Sequence, residues 1–187
     1  MGRAAVVLAA PLLWIAPVGS QAFGEVGAGV TAPTMKAAFL YNFAKFANWP
    51  AVALAPRQPL RLCIVGDNAV AEALALTIKG RKVDDRLLTV YVINADGPIH
   101  SCHLLYIGGR ESKHAGLLLY ALKGTSIFTV SDGDRFAEMG GVAQLILENN
   151  RMRFAVNVDA AQRARLKISS KLLSLAQIIK DQPDVQP

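Results

Sequence analysis

A chain of 187 residues with a formal charge of +6 has the length of one ordinary domain, so a second is not expected. Apolar residues make up 52% of it, which excludes a disordered chain and provides for a buried core. The basic excess is scattered over Arg81-Lys82, Arg151 and Arg153, and Arg163, Arg165 and Lys167 without interleaved aromatics. Such a pattern marks solvated faces rather than a nucleic-acid surface, although an acidic partner or anionic surface stays open.

The chain begins Met1-Gly2-Arg3 and continues with the apolar run Ala4 to Val18, a basic n-region followed by an h-region. Ser20 and Ala22 then supply the small side chains of a cleavage site, expected after Ala22. The run is shorter than the roughly 20 apolar residues of a membrane span and contains Pro11 and Pro17. Residues 1–22 therefore read as a signal peptide, 23–32 as a flexible leader, 33–180 as the α/β domain and 181–187 as a polar tail. The expected destination is outside the cytoplasm.

Thr34 is a plausible N-cap for a first helix, in which Met35, Phe39, Phe43 and Phe46 follow at helical spacing up to the stop at Pro50. Leu60 to Val65 reads as a buried strand. Gly66-Asp67-Asn68 turns it into a helix marked by Val70, Leu74 and Ile78 and ended by Gly80. Leu87 to Ile93 and Leu104 to Ile107 are two further strands. Glu111 to Leu122 is a helix whose Leu117-Leu118-Leu119-Tyr120 run, apolar all round, predicts deep burial. Ser126 to Val130 is a strand, and Asp132-Gly133-Asp134 is a turn. Val142 to Leu147 and Arg153 to Val158 form a hairpin across Asn149-Asn150. Asp159 can cap a last helix and Ser169 or Ser170 can recap it, with Ile168, Leu172, Leu175 and Ile179 on one face. This order describes an α/β fold: a single domain with a mixed β-sheet covered by helices and a C-terminal β-hairpin and helix.

Cys63 and Cys102 are the whole thiol inventory, and in an oxidising compartment such a pair reads as a structural disulfide. His100-Ser101-Cys102-His103 has metal-ligand types but neither the spacing nor enough further ligands for a zinc site, so the histidines read as surface residues. G-x-G-x-x-G, the P-loop and G-x-S-x-G are absent. Asp132-Gly133-Asp134 and Asp84-Asp85 are more simply turns than paired catalytic acids. No catalytic residue, metal or cofactor is expected, and the chain reads as a non-enzyme. The Phe stripe belongs to the core. Tyr41, off that stripe, Trp49, at the helix end, and Met152 and Phe154, near the hairpin, are candidate partner contacts on one apolar patch. The alternative is a small-ligand sensor whose pocket lies at the strand ends, lined by Gly66-Asp67-Asn68 and Gly108-Gly109-Arg110.

Lys36-Ala-Ala-Phe-Leu-Tyr-Asn-Phe43 running to Trp49-Pro50, Leu62-Cys63-Ile64-Val65-Gly66, and Gly124-Thr-Ser-Ile-Phe-Thr-Val-Ser131 to Gly140-Gly141 resemble the YfiR family. Arg153-Phe154-Ala-Val-Asn157 and Lys167-Ile-Ser-Ser-Lys-Leu-Leu173 share the likeness, which covers nearly the whole chain beyond the leader. The resemblance implies a small periplasmic α/β protein that binds the periplasmic sensor domain of an inner-membrane diguanylate cyclase and holds it inactive. Lower cyclic di-GMP and less biofilm follow. It further implies an outer-membrane lipoprotein that sequesters the repressor, and a disulfide between Cys63 and Cys102. A homodimer stays open. Some relatives carry a second cysteine pair at the hairpin turn. Here Glu148 to Met152 contains none, so redox control through that bridge is absent.

Overall fold

In the computed structural model the described residues are Gly2, 31–149 and 151–181. The signal-peptide reading and the tail beyond Asp181 lie outside them. The first helix, α1 (Ala32–Phe46), starts earlier than Thr34: Thr31 is its N-cap, its side chain accepting from the Thr34 amide, and Pro33 sits in the first turn. Proline needs no amide partner there and arrives with helical φ, so it opens the helix instead of preceding it.

After α1 come β1 (Ala47–Asn48), β2 (Leu60–Val65) and α2 (Asn68–Ile78), then β3 (Lys82–Val83), β4 (Arg86–Val92) and β5 (Leu104–Ile107). They are followed by α3 (Ala115–Ala121), β6 (Phe128–Ser131), β7 (Ala143–Glu148) and β8 (Arg151–Asn157). The chain closes with α4 (Val158–Arg163), β9 (Lys167–Ile168), α5 (Ser170–Leu173) and β10 (Gln177–Ile179). β1 and β9 form a small antiparallel pair, and the other strands form one eight-stranded sheet in the order β10-β8-β7-β6-β5-β2-β4-β3.

Within that sheet β4, β2, β5, β6 and β7 run parallel, while β8 lies antiparallel to β7 and β3 antiparallel to β4. The parallel strands thus stand in the order second, first, third, fourth, fifth, as in flavodoxin-like doubly wound sheets. Their central members are buried on both faces, which explains why Leu62 to Val65 and Leu104 to Ile107 are apolar without alternation. The hairpins follow from turn chemistry. Asp84 and Asp85 both take positive φ between β3 and β4, the signature of a two-residue turn whose twist matches its strands.

α1, α2 and α4 cover one face of the sheet and share its larger core. Phe43 is its centre, stacked on Phe128 at 5.4 Å and edge-on to Phe154 at 5.3 Å, with Phe39 edge-on to Phe154 at 5.5 Å. α3 covers the other face over a smaller core of Val65, Leu105, Ile107, Leu118, Leu122, Ile127 and Phe136. The Cys63–Cys102 disulfide lies in that smaller core, joining β2 to the segment before β5 with a Cα–Cα distance of 5.8 Å.

Two helical expectations change. α3 is a single amphipathic stretch entered through a 3-10 turn (Gly109–His114), and it buries Ala115 and Leu118 while leaving Leu117 and Tyr120 at 73% and 70% exposure. Beyond β8 the cap of α4 is Asn157, not Asp159, and the apolar spacing through Ile179 does not continue as helix. α5 ends at Leu173, Leu175 is exposed, and Gln177–Ile179 pairs with β8 as a parallel edge strand.

Candidate functional site

In this topology ligands are received where the strand order reverses, between the carboxyl ends of β2 and β5. Here that crevice is closed by the chain itself. Gly66 and Gly109 both adopt positive φ, and a Cβ on either would approach the other turn to within 2.4 Å of Gly108 O or 2.3 Å of Gly66 O. The two turns are therefore in backbone contact, which only glycine permits. A ligand lined by Gly66 and Gly108-Gly109 has no room between them.

Above the turns Lys36 reaches over from α1. Its ammonium meets the Asp132 carboxylate at 2.5 Å and lies 3.6 Å from Asp67, with its side chain only 14% exposed. Asp67 has a second duty: it caps α2 by accepting from the Val70 amide at 3.1 Å. Beneath the ammonium, 5.8 Å from ring centre to nitrogen, is the fully buried Tyr106. Burial first, and then the Asp132 and Asp67 carboxylates, push its phenol far above the ordinary range. Asp132 weighs on the hydroxyl electrostatically without meeting it in hydrogen-bond geometry, so the hydroxyl has no partner among the described residues. The cluster is an internal clamp. Its cation is already supplied, and no group of three or more His, Cys, Asp or Glu that could hold a metal ion is present among the described residues.

At the opposite end of the sheet His103 is buried rather than on the surface. Its Nδ1 accepts from the Arg61 amide at 2.9 Å, which leaves the proton on Nε2, 3.1 Å from the Ala53 carbonyl. Burial, helped by the Arg61 and Arg86 charges and opposed by the Ala53 hydrogen bond, lowers the imidazole pKa below its ordinary value. The ring is a neutral brace.

The residues singled out as partner contacts do not form one patch. Phe154 is 5% exposed and clamped between Phe39 and Phe43, so it is core: its position on β8 alternates inward. Tyr41 is half-buried under the Arg81 guanidinium, 5.0 Å from its ring centre. Trp49 is half-buried and donates from Nε1 to the His103 carbonyl at 3.0 Å, near the amino end of β5. Met152 pairs with Leu147 on the part of the hairpin that runs past the carboxyl end of β6, so it and Trp49 stand at opposite ends of the sheet.

A groove of about 630 Å³ lies elsewhere, between α3 and α4, bordered by Tyr120, Ile127, Met139 and Arg163. Leu117 and Tyr120 stand proud of α3 beside it, and Met139 is 51% exposed. Clustered exposed apolar side chains of this size mark interaction surfaces. In the sequence they are hidden, because an unbroken Leu-Leu-Leu-Tyr run looks buried on every side. The exposed face would have been found by giving α3 only the seven residues from Ala115 to Ala121.

A family model described as YfiR/HmsC-like matches residues 33–177. Among solved structures, a conserved domain protein from Vibrio cholerae is similar with a TM-score of 0.55 at 10% identity, over 81% of this chain. This chain spans 60% of that protein's length, and at such identity the likeness is one of fold.

Proposed function

This chain belongs to the YfiR/HmsC-like family, and from that premise we propose that it is a periplasmic repressor, exported by its signal peptide. It binds the periplasmic sensor domain of an inner-membrane diguanylate cyclase and holds the cyclase inactive. Cyclic di-GMP and biofilm fall while it is bound, and an outer-membrane lipoprotein that sequesters it relieves the repression. The observation that carries this reading is the span of the family match, which runs from the first turn of α1 to the start of β10.

The mechanism is a population shift: a repressor with higher affinity for the inactive cyclase raises the fraction in that state by its differential affinity. No chemistry is required of the repressor. The contact surface assigned to the sensor domain is the exposed side of α3, Leu117 and Tyr120, with Met139 across the groove. Tyr41, Trp49 and Met152 are half-buried and remain separate candidate contacts for the same sensor domain.

Deleting the gene and measuring cyclic di-GMP tests the reading. The level is expected to rise and to return on complementation with the wild-type gene. Complementation with the Leu117→Asp, Tyr120→Asp double variant should fail although the protein accumulates normally. An unchanged level in the deletion strain would overturn the repressor function. Restoration by the double variant would overturn the α3 surface alone.

A further inference from the structure

Three buried side-chain polar atoms have no hydrogen-bond partner among the described residues: the Tyr106 hydroxyl, Arg61 Nε and Ser126 Oγ. The first belongs to the Lys36 clamp. Arg61 and Ser126 both border one pocket of about 320 Å³, at the amino ends of β2, β5 and β6 and at the far end of the sheet from the touching glycine turns. An orphaned buried polar atom destabilises a fold, and where one persists an ion or ligand is a common reason. Two on the wall of a single pocket call for the same occupant.

The chemistry of that wall is one-sided. Arg61 is half-buried, its guanidinium held 4.8 Å from the Tyr91 ring centre, and Ser126 is only 8% exposed. His103, beside them, has no acceptor to spare: its Nδ1 is taken by the Arg61 amide and its Nε2 faces the Ala53 carbonyl. Arg86 brings a second positive charge, donating to the carbonyl of Gln58, a residue that also borders the pocket, at 3.2 Å. No Asp or Glu lines it among the described residues. Ile127 and the Cys102 arm of the disulfide supply an apolar side.

We propose that this pocket binds a small oxyanion, a carboxylate or phosphate group that pairs with the Arg61 guanidinium and accepts from the Ser126 hydroxyl. A guanidinium presents a planar fork of donors that matches two oxygens of such a group, and charge-assisted bonds of this kind are the strong ones. Ser126 needs only a change of its single side-chain rotamer to bring the hydroxyl to the ligand. The volume lies at the small end of ligand pockets, which suits a compact body of few atoms. Neither Arg61 nor Ser126 belongs to the surface assigned to the sensor domain, so the anion site and the repressor function can fail separately.

Thermal melting of the purified chain in potassium chloride, inorganic phosphate and succinate at one ionic strength tests the site. Phosphate or succinate should raise the melting temperature saturably above that in chloride, by about 5 °C at a hundred times Kd, and the anion with the lower Kd identifies the group bound. Exclusion of salts from the surface acts on every variant alike, so the difference between chains is what is read. Arg61→Gln should weaken binding by about tenfold or more. Ser126→Ala should weaken it about fivefold without lowering the melting temperature in chloride, because it removes a hydroxyl that has no partner. Arg153→Gln, at an exposed position on β8, should leave binding unchanged. The absence of a saturable rise over chloride overturns the proposal, as does a rise that Arg61→Gln or Ser126→Ala leaves intact. If Arg61→Gln does not fold, Ser126→Ala alone decides.

Discussion

The two faces of the sheet are stabilised by different means. Beneath α1 and α2 the apolar side chains form one continuous core centred on four interlocking rings, Phe39, Phe43, Phe128 and Phe154. Beneath α3 the core is smaller, a covalent bridge ties β2 to the segment before β5, and the covering helix has only seven residues. A thickly covered face has little left to show a partner. The thinly covered face retains stability through the disulfide while leaving Leu117 and Tyr120 outside, so the same layer supplies both the staple and the exposed surface.

The sharpest way to break this contrast is at the ring cluster. Phe43→Ala should lower stability by about 3–5 kcal/mol, because Phe43 is fully buried and touches rings from β6 and β8 that cannot close the gap. Thermal or denaturant unfolding measures it. On the other face, removing the disulfide by Cys63→Ala with Cys102→Ala should cost about 3–4 kcal/mol, the chain-entropy value for the 39-residue separation. The two faces differ in what the loss reports. Reductant should reproduce the second effect in the wild type and leave the Phe43→Ala increment unchanged. If reductant has no effect on wild-type melting, the covalent bridge is not what compensates for the smaller core.

The smallest expected effect concerns pH, again on the disulfide side. His103 is held neutral in the folded chain, with its pKa below the ordinary 6.5, whereas the unfolded chain takes up a proton near that value. Stability is therefore complete above about 6.5 and declines as pH falls below it, since protonation would set an Nδ1–H against the Arg61 amide. Melting curves between neutral and mildly acidic pH should show the decline in the wild type and a smaller one in His103→Gln. Equal slopes would remove His103 as the cause.

Legibility in the sequence divided along physical lines. The central strands and α2 could be read because continuous apolar runs, a Gly-Asp-Asn turn and a closing glycine are local signals. The cysteine pair could be read because few alternatives exist for two thiols in an oxidising compartment. The segment after β8 misled because Ile168, Leu172, Leu175 and Ile179 mimic a helical face, whereas the open side of β8 offered Gln177–Ile179 backbone partners that only the tertiary fold reveals. Phe154 misled for a related reason: nearness to a hairpin turn suggests exposure, but the pleat points it inward. The Lys36 clamp had no local sign at all, since its partners lie on two other elements, Asp132 being 96 residues away.

That clamp bears on how such a protein can be set. In doubly wound folds the mouth above the switch point is where a small molecule is read, and occupancy there becomes the molecule's message. Here the mouth is corked by an ammonium belonging to the same chain, over touching glycine turns. Under the repressor function proposed above, information is then carried by how many copies are present and which neighbour holds them. Control by abundance and custody, rather than by filling, is the mode this closed mouth favours.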